Sequence, residues 1–216
     1  TRHFVLLSAI CVQKPTLEFQ KAKLAFESEL QASGVDFTIV RPTAFFKSLS
    51  GQLDRVKAGK PFLVFGEGTE TACKPISEPD LARYLVDCLQ RDDRRNRVLP
   101  IGGPGSALTP LDQGALLFDL LGKQPHYRHV PVRLFDIAAS LLQPLSTLVP
   151  PLAEKAEFAR IGKYYATESM LVWDADSQSY DAGATPETGT DTLREHYARM
   201  LRDGDAGQAL GEHKLF

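Results

Sequence analysis

Apolar residues recur with two different periods along the first 46 positions. Residues 3–10 (HFVLLSAI) and 35–46 (VDFTIVRPTAFF) are nearly continuous apolar runs, the pattern of buried strands. Between them, residues 14–34 carry apolar positions at helical steps, and Gly34 suits the residue just past a helix end. Strand, helix, strand in this order predicts a βαβ unit, and with it a parallel sheet with a right-handed crossover. Within the helix, Phe19, Lys23, Phe26 and Leu30 fall at steps of four, three and four, so a lysine lies in the expected apolar stripe.

The rest of the chain continues the α/β reading and then turns helical. Residues 60–65 read as a strand closed by a turn at Gly66-Glu67-Gly68. Ser77 suits a helix N-cap, with Asp80 three residues on as a capping box, Pro79 in the first turn and Leu81, Leu85, Cys88 and Leu89 as the buried stripe. A mixed-sign charge run at 91–97 reads as a solvated loop, and 98–101 as a strand. Gly102-Gly103-Pro104-Gly105 reads as a turn rather than a phosphate cradle: it lacks the third glycine of that motif, and Pro104 has no N–H to offer. A helix is expected from Thr109, with Pro110 at its first position, to Gly122.

Residues 133–149 form the most apolar helical pattern, with Leu134, Ile137, Ala138, Leu141, Leu142, Leu145 and Leu148 in one stripe and Pro144 expected to bend it. Two uses stand open for it: a subdomain helix on the core, or a wall over an apolar substrate that also touches a membrane surface. Further helices are expected at 153–164 and 191–201, a loop at 175–190, and a polar tail from Gly204. The division that follows is a dinucleotide-binding portion at 1–105 and a mainly helical substrate-side portion at 106–216.

Composition narrows the classes. The 216 residues are 43% hydrophobic and 24% charged, with a net charge of −2, which leaves no basic footprint for nucleic acid. No apolar run approaches the ~20 residues of a membrane span. Cys11, Cys73 and Cys88 lack metal-site spacing and fit a reducing compartment. His126 and His129 lie between Pro125 and Pro131, where an extended chain splays them, so no metal is expected. No G-x-G-x-x-G turn is present. The expectation is a chain holding the later part of a dinucleotide-binding sheet, its N-terminal βαβ units missing.

Chemistry is expected at the carboxyl ends of the strands, where open α/β sheets bind ligands. Ser8 ends the first strand, Lys23 sits on the helix, and Pro42 and Thr43 follow the second strand. A lysine in an apolar stripe either snorkels to water or presents its ammonium to the crevice. The company of Ser8 and the Arg41-Pro42 turn favours the second. Phe45 and Phe46 serve equally well as core or as a flank for a flat ring.

A serine ending one strand, an aromatic-x-x-x-Lys helix and a strand closing in Arg-Pro resemble the short-chain dehydrogenase/reductase superfamily. That superfamily carries Tyr-x-x-x-Lys, whereas this chain reads Phe19-Gln20-Lys21-Ala22-Lys23. The missing hydroxyl points to the atypical, NmrA-like branch. The runs HFVLLSAICVQKP, LEFQKAK, IVRPTAFFKSL, CKPISEPDLA, VLPIGGPG, ALTPLDQG and YYATESMLVWD together resemble the 3,8-divinyl (proto)chlorophyllide 8-vinyl reductases. The resemblance implies a Rossmann-like parallel sheet, NADPH as cofactor, a tetrapyrrole substrate, no nucleic acid, and a plastid location in a eukaryote or a cytoplasmic one in a bacterium. It implies Lys23 as the catalytic residue that holds the nicotinamide ribose. Ser8 and Ala9 would line the nicotinamide, Pro42, Thr43 and Ala44 would pass near its carboxamide, and Phe45 would join them in binding the cofactor. The proton donor stays open between Lys23, Tyr164 or Tyr165, and water. Two other readings stay open: a non-catalytic NADP(H)-binding regulator or photosystem assembly factor, and a reductase of another conjugated alkene, of the isoflavone-reductase type.

Overall fold

A computed structural model describes residues 2–146 and 151–204. In chain order its elements are β1 (His3–Leu7), α1 (Glu18–Ala32), β2 (Asp36–Pro42), α2 (Phe46–Leu49), α3 (Leu53–Lys57), β3 (Phe62–Phe65), α4 (Glu78–Gln90), β4 (Arg97–Ile101), α5 (Pro110–Leu120), β5 (Tyr127–Val130), α6 (Arg133–Ser146), α7 (Pro151–Thr167), β6 (Val172–Asp174), β7 (Ser179–Asp181) and α8 (Leu193–Asp203). They form two compact units, each assembled from separate stretches of chain: residues 1–47, 73–107 and 170–196 in one, and 48–72, 108–169 and 197–216 in the other.

The first unit holds a parallel sheet in the order β1-β2-β4. The expected βαβ crossover is present: β1 pairs with β2 from His3 opposite Asp36 to Leu7 opposite Val40. β2 pairs on its other side with β4, from Thr38 opposite Arg97 to Pro42 opposite Ile101. β2 is therefore central, and Thr38, Ile39 and Val40 are fully buried in it. Thr38 is tolerated there because its hydroxyl donates to the Arg94 carbonyl at 2.8 Å and lies 2.9 Å from His3 Nε2. Pro100 has no N–H for a ladder and sits in the outer strand β4. Val40, Ile76, Leu81, Cys88 and Ile101 form a core cluster, joining β2 and β4 to α4. At the β1 side Phe4, Leu7 and Phe26 stay 39%, 41% and 50% exposed, with the Phe4 and Phe26 rings 6.1 Å apart. That makes β1 the open side of a sheet type that normally covers both faces.

α4 starts as its sequence requires. Ser77 Oγ accepts the Asp80 N–H at 3.1 Å, and Pro79 occupies the first turn. Asp80 does not complete the box. Its carboxylate accepts the N–H groups of Thr190 and Asp191 and pairs with Arg83. Leu81 and Cys88 are buried as the stripe predicts, whereas Leu89 is 57% exposed. Within the expected loop at 175–190, Ser179–Asp181 form β7, which pairs antiparallel with β6 just before the loop.

In the second unit β3 and β5 pair in parallel, from Phe62 opposite Tyr127 to Phe65 opposite Val130. The 126–129 segment is thus extended, and His129 Nδ1 lies 2.9 Å from the Gly66 carbonyl. α5 begins at the Thr109 cap, whose box with Asp112 is complete. The Tyr127 ring meets Phe62 and Phe118 edge-on, and its hydroxyl donates to the Leu111 carbonyl at 3.0 Å. α6 is helical through Pro144. Leu134, Ile137 and Leu141 of its stripe are exposed, and Leu148 lies outside the described residues, as does the tail beyond Gly204. α6 and α7 bound an open groove lined by Phe135, Ala138, Phe158 and Gly162, and Lys163 pairs with Asp136 at 2.6 Å. Among the described residues no helix is long and apolar enough to cross a membrane.

Candidate active site at the strand tips

The strand pairing extends past the tips of β1 and β2. The Ser8 N–H donates to the Val40 carbonyl at 2.8 Å, and the Thr43 N–H to the Ile101 carbonyl at 2.9 Å. Backbone at these tips is therefore fixed by the sheet itself. Ser8 is 4% exposed, and its hydroxyl donates to Glu27 Oε1 at 2.5 Å. Arg41 Nε donates to the same oxygen at 3.2 Å, and its Nη2 donates to Glu27 Oε2. Glu27 is 1% exposed. A carboxylate this deep is tolerated only when its oxygens are partnered, and here both are.

Glu27 thereby fixes α1 against the strand tips. α1 runs back along the sheet from the carboxyl-end side, so Lys23, four residues before Glu27, stands about 6 Å further toward that side. Lys23 is half-buried and, among the described residues, has no hydrogen-bond or ion-pair partner. The buried residues of α1 are Gln20, Glu27 and Leu30. That face is turned from the expected Phe19–Lys23–Phe26–Leu30 stripe, with Lys23 at its margin and Phe26 half-exposed. The cause is hydrogen bonding: Gln20 Oε1 accepts the N–H groups of Thr16 and Leu17 at 2.8 and 2.9 Å, and Arg41 and Ser8 hold Glu27.

The residues after β2 are placed by a second backbone exchange. The Ile76 N–H donates to the Ala44 carbonyl at 2.9 Å, and the Phe46 N–H to the Ile76 carbonyl at 3.1 Å. Pro42 and Thr43 are buried; Ala9, Ala44 and Phe45 are half-buried. Phe46 is fully buried, 5.3 Å from the His196 ring, while Phe45 packs at the edge of the core cluster. Of the two phenylalanines, Phe46 is core. Ser8, Ala9 and Pro42–Phe45 thus lie at neighbouring strand tips, with Lys23 on the helix beside them.

One cluster at these tips carried no signal in the sequence pattern. Thr43 Oγ1 donates to the Lys74 carbonyl. The Lys74 ammonium, 8% exposed, donates to Glu187 Oε1 at 2.7 Å and to the Thr185 carbonyl at 3.3 Å. Glu187 Oε2 accepts the Gly105 N–H at 3.1 Å. The Lys74 hydrogen bond, helped by that of Gly105, holds the Glu187 carboxyl below the usual range. The remaining glycine amides are engaged as well: Gly102 N–H donates to Pro186 O at 2.7 Å and Gly103 N–H to Lys74 O at 3.1 Å. The Gly102–Gly105 turn has no amide left for a phosphate.

The segment after Ser8 also grips the β6–β7 hairpin. Gln13 Nε2 donates to the Leu171 carbonyl at 2.5 Å, and its Oε1 accepts the Trp173 N–H at 2.9 Å. Lys14 Nζ lies 4.4 Å from the Trp173 ring centre, and Trp173 meets Tyr180 edge-on. Cys11, Cys73 and Cys88 are all buried, and burial pushes the Cys73 thiol up to about 12, so it stays neutral. No group of three metal-ligating side chains occurs among the described residues.

The likeness of the chain to known proteins is specific. Residues 1–92 match a family model described as NAD(P)H-binding. The chain is 55% identical to a chloroplastic divinyl chlorophyllide a 8-vinyl-reductase of Cucumis sativus over 99% of its length and 52% of that protein's. It is 54% identical to the Zea mays enzyme of the same name over 99% of its length and 55% of that protein's. Among solved structures, an NADPH-dependent quinone oxidoreductase of Escherichia coli in complex with NADPH superposes with a TM-score of 0.66. There the identity is 16%, over 93% of this chain and 66% of that one, which establishes a shared fold. The chain spans about half the length of the curated relatives it matches, and over that half it is similar to the chloroplastic divinyl chlorophyllide a 8-vinyl-reductases, with residues 1–92 matching the NAD(P)H-binding family model.

Proposed function

We propose that the protein to which this chain belongs reduces the 8-vinyl group of divinyl chlorophyllide or protochlorophyllide to ethyl, with NADPH as reductant, in a plastid. The observation that carries the reading is the 53–55% identity to enzymes of that name over 98–99% of the chain. Bound NADPH supplies a hydride; with one proton the vinyl becomes ethyl and NADP⁺ is left.

This chain's own residues fit such a cofactor. Lys23, carried by α1 beside the tips of β1 and β2 and without a hydrogen-bond or ion-pair partner among the described residues, suits a ribose hydroxyl, and its charge adds a positive field near the hydride path. Ser8 has its proton committed to Glu27, so it lines the site through its backbone and its remaining lone pair rather than as a donor. Pro42, Thr43, Ala44 and Phe45 form the wall after β2, fixed by the exchange with Ile76. Phe19 replaces a tyrosine acid, and a vinyl group has no oxygen that such an acid would protonate. Dinucleotide binding falls to the unit of residues 1–47, 73–107 and 170–196 and the substrate side to the unit of 48–72, 108–169 and 197–216, rather than to contiguous portions divided at 105. The apolar face of α6, with Leu134, Ile137 and Leu141 exposed, suits a peripheral contact with the membrane that holds the pigments.

The test is direct. The full-length protein is incubated with NADPH and divinyl chlorophyllide, and the pigment is followed by chromatography and by its Soret band. Conversion to the monovinyl pigment with stoichiometric NADPH oxidation is expected. NADPH binding without any pigment conversion would overturn the reductase reading in favour of a cofactor-binding regulator.

A further inference from the structure

Lys23 and Glu27 are an i, i+4 pair on α1, the spacing at which lysine and glutamate pair on a helix surface. They do not pair here. Glu27 turns inward, 1% exposed, and both its oxygens are taken by Arg41 while one also accepts Ser8. Arg41 wins this competition for a physical reason. Its planar fork binds both carboxylate oxygens at once, and it is only 22% exposed, whereas a lysine offers a single flexible charge. The outcome is a half-buried lysine with no ion-pair partner among the described residues, one helical turn above the strand tips.

We infer that Arg41 is a positioning residue that reserves Lys23 for the cofactor. By sequestering Glu27 it prevents the carboxylate from capturing and neutralising the neighbouring ammonium. Arg41 acts through Glu27, both of whose carboxylate oxygens it binds. The inference rests on the reading of Lys23 as the group that holds the nicotinamide ribose. It differs from a plain structural role in the sign of one effect. If the Arg41–Glu27 pair merely braces α1, removing both partners harms cofactor binding. If Arg41 restrains Glu27, removing both leaves Lys23 as available as before.

The experiment uses the full-length protein and two readouts. The first is NADPH affinity by fluorescence titration. Arg41→Met weakens binding at least fivefold, and Arg41→Met/Glu27→Gln returns it to within twofold of the parent. Replacing both members of a buried ion pair is commonly well tolerated, so the double variant reports even if Arg41→Met alone fails to fold. A double variant that folds, with a melting temperature near the parent's, yet has lost NADPH overturns the inference. The second readout needs no cofactor. After reductive ¹³C-methylation, the Lys23 dimethylammonium resonance, assigned with Lys23→Arg, shifts in Arg41→Met and reverts in the double variant. A parent that binds no NADPH sinks the reductase reading, and the resonance then decides the Arg41 inference alone. An unmoved resonance in folded Arg41→Met, or a displaced one in the double variant, overturns it.

Discussion

A Cβ placed on Gly103 would lie 1.9 Å from the carbonyl oxygen of Pro75. The two segments touch backbone to backbone, and the Gly103 N–H reaches the Lys74 carbonyl at 3.1 Å only because no side chain stands between them. The glycines after β4 thus serve close approach, which is why they do not act as an anion cradle. Gly103→Ala must push the 73–76 segment away from the tips of β2 and β4. Overpacking of this kind costs about 1–3 kcal/mol, and rigid backbone places this site at the upper end. Urea denaturation reads the loss, and the same variant lowers the affinity for NADPH because Thr43 is tied to Lys74.

Lys23 separates function from stability. It makes no hydrogen bond or ion pair among the described residues, so Lys23→Ala changes folding stability within about 0.5 kcal/mol. Turnover with NADPH falls by about an order of magnitude or more, because the ribose loses its anchor. Melting curves and steady-state kinetics on one preparation check both halves. Unchanged kinetics would remove Lys23 from the site.

How much of this was legible in the sequence depends on what each residue is bonded to. The βαβ unit was readable because 3–10 and 35–46 are apolar whatever they touch, and Gly34 adopts the positive φ, +74°, that its place past α1 calls for. The buried face of α1 was not readable. Periodicity weighs Phe26 as core and Glu27 as surface; the structure exposes the first and buries the second, because Arg41 arrives from β2 to partner it. Lys74 and Glu187 were invisible for the same reason. Their bond spans 113 positions and joins a strand-tip segment to a loop with no periodic pattern. Local spacing reports propensity and capping well, as at Ser77 and Thr109, and reports long-range polar pairing hardly at all.

The Lys74–Glu187 pair is asymmetric, and its two halves can be told apart. Lys74 is 8% exposed and Glu187 47%. Removing Lys74 lets Glu187 return to water. Removing Glu187 leaves a buried ammonium with, among the described residues, the Thr185 carbonyl at 3.3 Å as its remaining partner. Glu187→Ala therefore lowers the melting temperature more than Lys74→Met does. Calorimetry on the two variants decides it; the reverse order would mean that Lys74 reaches solvent by another route.

Asp80 carries a pH dependence whose sign can be worked out. Burial pushes its carboxyl up, but the N–H of Asp191, the Arg83 guanidinium and the N–H of Thr190 together hold it below its ordinary value of 3.8. A carboxyl lowered in the folded state binds protons less readily there than in the unfolded chain. Its contribution is therefore complete above the unfolded value and is lost as the pH falls through the lower folded one. Asp80→Asn removes the charge but keeps the shape. At pH 7 it costs about 1.5–3 kcal/mol, the range for hydrogen bonds to a charged group. As the pH falls through about 4 the Asp80 carboxyl of the unfolded parent takes up its proton while the folded one still resists it, and the gap between the two proteins narrows. Denaturant titrations at pH 7, 5 and 3.5 measure that gap directly. A gap that stays constant across the three would show that the fastening of Thr190 and Asp191 to α4 does not depend on the Asp80 charge.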